Sequence, residues 1–155
     1  AAKCGDAPKL LTRMSWTGDT IRAGFTTGTP FRALSANVAT NNVQAQQASS
    51  SSLLNWYKAV ISLRKAYPSL TRGAHAGAAA SGATLSFQRL DGNQRAVVMI
   101  NYGTATATIA ASGLPANAVL INAFPPSGTN VDADANGSVS VGVPAQSLRV
   151  FVINP

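Results

Sequence analysis

The sequence predicts a mainly β protein: an antiparallel Greek-key β-sandwich preceded by an irregular segment and one α-helix. Three features carry that expectation. From Thr71 onward, short apolar runs with period two alternate with turn material. Just before them, residues 52–66 show apolar spacing of helical period. Residues 1 to about 51 have no sustained periodicity and are punctuated by Gly18, Gly24, Gly28 and Pro30.

The leading segment closes in a polar tract, Asn41–Ser52, read as an irregular bridge. A structureless stretch of this length is out of place inside a compact domain. Trp16, Phe25 and Phe31 are equally out of place in a disordered linker, which is poor in aromatics. Together they imply a segment built to lie on another surface. In the isolated chain, residues 1–50 are expected to be mobile or packed against a neighbouring molecule.

The helix is placed at Ser52–Ala66. Ser51 or Ser52 can cap it by accepting a free backbone N–H. Arg64 and Lys65 suit the negative end of the dipole, and Pro68 drives Tyr67 out of helical conformation. Leu53, Leu54, Trp56, Tyr57, Val60, Ile61 and Leu63 wrap more than one face, so this helix calls for packing on two sides.

The strands follow in order. "ATLSFQRL" alternates, and Asp91-Gly92-Asn93 signals a hairpin because glycine accepts positive φ. "QRAVVMINY" is nearly continuous in apolar residues, the pattern of a strand covered on both faces. "TATATIAA", "NAVLINAF", "GSVSVGV" and "SLRVFVIN" complete the set, with a turn across "DADANG". His75, in "RGAHAGA", is read as an exposed loop residue. The domain boundary is expected near residue 70, giving segments 1–70 and 71–155.

Composition narrows the function. Twelve basic against five acidic residues leave a net charge of +7, but the basic side chains are scattered and no aromatic row interleaves them. A nucleic-acid platform needs both features, so no nucleic-acid partner is expected. No run approaches the ~20 apolar residues of a membrane-spanning helix, and no membrane partner is expected. A single cysteine, Cys4, and a single histidine, His75, make no metal-ligand set, and no cofactor or metal is expected. No serine sits in a nucleophile elbow and no glycine run matches a phosphate loop. The low content of charged residues, 11%, slightly favours a periplasmic or secreted location over the cytoplasm.

All five acids are aspartates. Acid–base chemistry by paired carboxyl groups needs two of them held close together, one with a raised pKa. Asp132 and Asp134 are close in sequence but sit in "NVDADANG", a turn setting, and Asp19 follows Gly18 in a loop. No residue of this chain is expected to be catalytic.

The order of parts resembles the C-terminal end of the α-amylase superfamily, glycoside hydrolase family thirteen, in its oligo-1,6-glucosidase and α-glucosidase branch. The strings that carry the likeness are Arg13-Met14-Ser15-Trp16, then Ala23-Gly24-Phe25-Thr26-Thr27-Gly28-Thr29-Pro30-Phe31. Asn42-Val43-Gln44-Ala45-Gln46 and Ser52 to Lys65 follow, with Pro68 and Leu70. "AVVMINYG" and "VPAQSLRVFVI" extend it more loosely. Arg13 stands where the family has proline, Ser15 where it has glutamine and Phe31 where it has tryptophan.

The resemblance implies that residues 1–70 are the last loop and final helix of a (β/α)8 barrel, with 71–155 the C-terminal sandwich domain. It implies that the parent acts on α-glucosides as hydrolase or transglycosylase, with its catalytic carboxylates on earlier strands. The partner of this chain would then be the missing catalytic barrel, with an α-glucan or oligosaccharide bound in the parent. On that reading the chain is structural and inactive alone. Trp16, Arg22 and Phe25 are the candidates for sugar contact: an aromatic face stacks on a pyranose and an arginine fork binds hydroxyls or orients a carboxylate. The alternative function is an independent β-sandwich carbohydrate-binding module, which would need exposed aromatics on the sandwich. The strands offer Phe87, Tyr102, Phe124 and Phe151 but no tryptophan.

Overall fold

The computed structural model describes residues 13–154. Cys4, together with Lys3 and Asp6, lies outside the described residues. The chain divides into two compact units between Val60 and Ile61. The division falls inside the main helix, earlier than the boundary near residue 70 set from the sequence.

In the first unit, residues 13–42 are turns, followed by a short helix α1 (Val43–Ala48) and the start of α2 (Leu53–Ala66). The polar bridge thus contains a helix that its sequence does not announce. "VQAQQA" has no apolar stripe and buries no residue. It forms because Asn42, itself buried, caps it: Asn42 Oδ1 accepts the Ala45 N–H at 2.9 Å. The cap is anchored in turn, since Asn42 Nδ2 donates to the Val38 and Ala39 carbonyls. α2 begins where expected, with Ser52 Oγ accepting the Asn55 N–H at 3.2 Å. Pro68 ends α2 and occupies the first turn of a second short helix, α3 (Pro68–Arg72), where its missing N–H costs nothing.

The second unit is the sandwich. Strands β1 (Ala74–Ser81), β2 (Thr84–Asp91), β3 (Gln94–Asn101), β8 (Ser147–Ile153), β5 (Val119–Phe124) and β6 (Val131–Asp132) form one sheet in the order β1-β2-β3-β8-β5-β6. β4 (Ala107–Ala111) and β7 (Val139–Val143) form the other. All pairings are antiparallel. The chain leaves the first sheet after β3 and returns to insert β8 beside it, which is the Greek-key crossing. Asp91 pairs with Gln94, so Gly92 and Asn93 form the two-residue turn, with Gly92 at φ 58°.

His75 is exposed but not in a loop. It lies on β1, opposite Arg89, and its ring stacks on Phe87 with centroids 5.1 Å apart. β1 is an edge strand of small residues, all exposed but Ala76, which is why apolar alternation does not mark it.

β3 is buried on both faces, as its unbroken apolar run requires. One face supplies Val97 and Met99 to the core between the sheets, with Phe151, Ile109, Val141 and Val143. The other face presents Val98 to a second core with Val150, Phe87, Ile100 and, from α2 and α3, Leu63 and Leu70. Polar side chains also stitch β2 to the second sheet. Ser86 Oγ donates to the Ala110 carbonyl at 2.9 Å and Gln88 Nε2 to that of Ser112 at 2.7 Å. Both side chains are buried with their hydrogen bonds made, so neither leaves a costly orphan.

α2 itself divides its apolar residues. Leu63 is buried, whereas Leu53, Tyr57 and Ile61, spaced four apart on one helix face, stay more than half exposed. Trp56 beside them is 42% exposed and meets the Tyr57 ring edge-on at 5.5 Å.

Candidate functional site

Trp16, Arg22 and Phe25 belong to one closed loop in the first unit. The N–H groups of Trp16 and Thr17 both donate to the Ala23 carbonyl, at 2.8 and 3.2 Å. Asp19 nucleates the turn inside it: its carbonyl accepts the Ala23 N–H, and its Oδ1 accepts the Ile21 N–H, both at 2.9 Å. Ala23 is fully buried and, with Gly24, takes positive φ. A Cβ on Gly24 would lie 2.8 Å from Thr17 Cγ2 and 3.3 Å from Trp16 Cβ, so only glycine fits there.

The loop is bolted to α1. The Ser15 and Trp16 carbonyls accept the N–H groups of Val43 and Gln44 at 2.9 and 3.0 Å. A helix start leaves such donors unpaired, and here the loop takes them up. Asn42 is therefore a supporting residue that the sequence did not single out. Its signal was local, an asparagine before a helix, but the helix itself was hidden.

The three candidates are placed differently. Trp16 is about half exposed at 49%, Arg22 is exposed and Phe25 is half-buried. The Phe25 N–H donates to the Arg22 carbonyl at 3.3 Å, which puts these two side by side on one turn. One face of the Phe25 ring is occupied: the Arg13 guanidinium lies 5.0 Å from its centroid. Stacking of a sugar on Phe25 would thus use the opposite face. Arg13, noted in the sequence only as a departure from proline, is a ring partner. None of the three lines the neighbouring open groove of about 450 Å³ beneath Ile21, Pro30, Phe31 and Leu34.

The described aspartates are committed to structure or isolated. Asp134 Oδ1 accepts the N–H groups of Asn136 and Ser138 at 2.9 and 2.8 Å, which closes the turn after β6. Asp91 pairs with Arg72 at 2.9 Å. Asp132 is exposed on β6. No group of three or more metal-ligating side chains occurs among the described residues. No described helix is long and apolar enough to cross a membrane.

With this geometry in hand, comparison with known proteins is informative. Residues 2–73 match the family described as Alpha-amylase, "Alpha amylase, catalytic domain". A probable oligo-1,6-glucosidase 2 of Bacillus subtilis is 44% identical over 62 residues, which is 40% of this chain and 11% of that protein. Among solved structures, isomaltulose synthase from Klebsiella sp. superposes on 92% of this chain with TM-score 0.66 and 24% identity. Trehalulose synthase from Pseudomonas mesoacidophila does so on 92% with TM-score 0.65 and 21% identity. In both, the aligned part is 25% of the solved chain. The chain thus spans a minor part of each relative.

Proposed function

We propose that this chain is the C-terminal part of an α-amylase superfamily protein, with a structural role within a glycosidase or transglycosylase acting on α-glucosides. In this reading residues 1–70 supply the last loop and final helix of the catalytic barrel, and the sandwich backs that helix. The catalytic carboxylates belong to the barrel, and Trp16, Arg22 and Phe25 face the sugar in the intact enzyme.

The observation that carries the reading is the division of α2. Leu63 is buried within the second core, while Leu53, Tyr57 and Ile61 hold an exposed apolar stripe along the same helix. Burying a large apolar side chain contributes ~1.5–3 kcal/mol, so such a stripe favours a permanent cover. A barrel wall of the same polypeptide provides one. The aspartates support the non-catalytic part, since each described carboxylate that makes a bond makes a structural one.

The test uses the purified chain. It should leave isomaltose, sucrose and p-nitrophenyl α-glucoside unchanged, and should bind a hydrophobic dye that the double variant Leu53→Glu/Ile61→Glu no longer binds. Turnover of any of these sugars by the chain alone would overturn the reading. Saturable binding of α-glucan by the chain would favour an independent carbohydrate-binding module instead.

A further inference from the structure

We propose that the pocket at the open end of the sandwich, around Arg95, binds a small organic anion whose oxyanion head sits on the Arg95 guanidinium. This site lies in the second unit and does not depend on the glycosidase reading. The pocket is a half-open recess of about 490 Å³ between the β2–β3 hairpin, the end of β8 and the loop after β4. That volume falls within the range of small-molecule sites.

Its walls combine three chemistries. Leu90, Pro115 and Ile153 form an apolar side. Asn93 and Asn154 supply amides at the rim, and the Gln94 side chain turns to the opposite face of β3. The rim is held in place, since Asn154 Nδ2 donates to the Asn93 carbonyl at 3.0 Å.

The third element is the charge. Arg95 is partly buried. Its Nη1 donates to Gln88 Oε1 and to the Gly113 carbonyl, both neutral acceptors, and these fix the plane of the fork. Nε and Nη2 make no hydrogen bond to a described residue, which leaves three N–H donors. Among the described residues, no carboxylate side chain lines the pocket. Asp91, the acid nearest in sequence, is held by Arg72 instead. A partly desolvated cation without a counter-charge is unfavourable. A planar fork with spare donors is the group that takes a carboxylate or phosphate by paired hydrogen bonds. A body of monosaccharide size, with hydroxyls for the amides and a C–H face for Leu90 and Pro115, matches the remaining space.

Glucuronate and glucose 6-phosphate are the probes, with glucose and inorganic phosphate as controls, titrated into the whole chain by calorimetry and by amide NMR. At least one organic anion should bind saturably and about tenfold or more tighter than glucose. Its binding should weaken as salt rises. Shifts should concentrate at Gly92, Arg95 and Ile153, and the Arg95 Nε–H signal should move. The two anions distinguish a carboxylate head from a phosphate head. Arg95→Gln should lose the binding, and Arg95→Lys should retain part of it. Should Arg95→Gln unfold, the NMR map on the unaltered chain still decides. The proposal is overturned if neither anion binds saturably, if glucose binds equally well, or if the shifts lie elsewhere.

Discussion

The side-chain amide of Asn101, at the end of β3, donates to the Val143 carbonyl at 3.0 Å, from one sheet of the sandwich to the other. The same Nδ2 also donates to the carbonyls of Ala105 and Pro144, and Oδ1 accepts the Gly103 N–H. Asn101 is buried at 1% exposure, so these groups have little water to fall back on. Asn101→Ala should therefore cost about 3 kcal/mol, the penalty of stranding buried polar partners. Equilibrium urea unfolding followed by circular dichroism measures it. A loss below that of an average surface substitution would show that solvent replaces the amide.

Glycines at positive φ should separate into two groups. Gly137 has φ 69°, and a Cβ there would lie 2.0 Å from the Leu114 carbonyl oxygen, which is backbone and cannot swing aside. Gly82 has φ 55° and nothing within 4 Å of the same position. Gly82→Ala should cost about 1 kcal/mol, the conformational preference alone. Gly137→Ala should cost about 3 kcal/mol or more, because strain and collision add. Thermal unfolding of the two variants in parallel gives the difference.

The helix should show a similar asymmetry. Leu63 packs in the core with Val98 and Val150, so Leu63→Ala should destabilise the chain by about 2–4 kcal/mol through lost burial and a residual cavity. Leu53, on the same helix, is 65% exposed, and Leu53→Ala should change the stability of the isolated chain by less than about 0.5 kcal/mol. In an intact parent enzyme the second substitution should become costly, if the proposed barrel covers that stripe. Unfolding midpoints of both variants, in both settings, test the pair.

What the sequence revealed depended on where each signal is stored. The β2–β3 hairpin was legible because Asp91-Gly92-Asn93 encodes its own turn, and β3 because burial on both faces writes itself as an unbroken apolar run. α2 was legible because its apolar residues recur densely at helical spacing, although only Leu63 among them is buried. β1 was not: its edge position leaves Ala74–Ser81 without an inward face to mark. α1 was hidden because its reason to exist lies elsewhere in the chain, in Asn42 and in the Ser15 and Trp16 carbonyls that take its first N–H groups. The candidate loop was found through family likeness. Its closure on Ala23, and the stacking of Arg13 on Phe25 across twelve positions, are contacts that no local pattern records.

Closure of that loop gives the last expectation. The Trp16 and Thr17 N–H groups share the Ala23 carbonyl, and the approach is possible only because Gly24 has no side chain. Gly24→Val would set a branched side chain against Thr17 Cγ2, 2.8 Å from the first added carbon, at a φ of 71° that valine avoids. The sandwich lies outside this loop, so its unfolding midpoint should be nearly unchanged. Hydrogen exchange should separate the two effects: the Trp16 and Thr17 amides should lose protection by about tenfold or more, while those of β3 and β8 keep theirs. If the Trp16 and Thr17 amides of the unaltered chain already exchange as fast as an unstructured peptide, the closed loop is not the state in solution. The positions of Trp16, Arg22 and Phe25 would then depend on the proposed barrel.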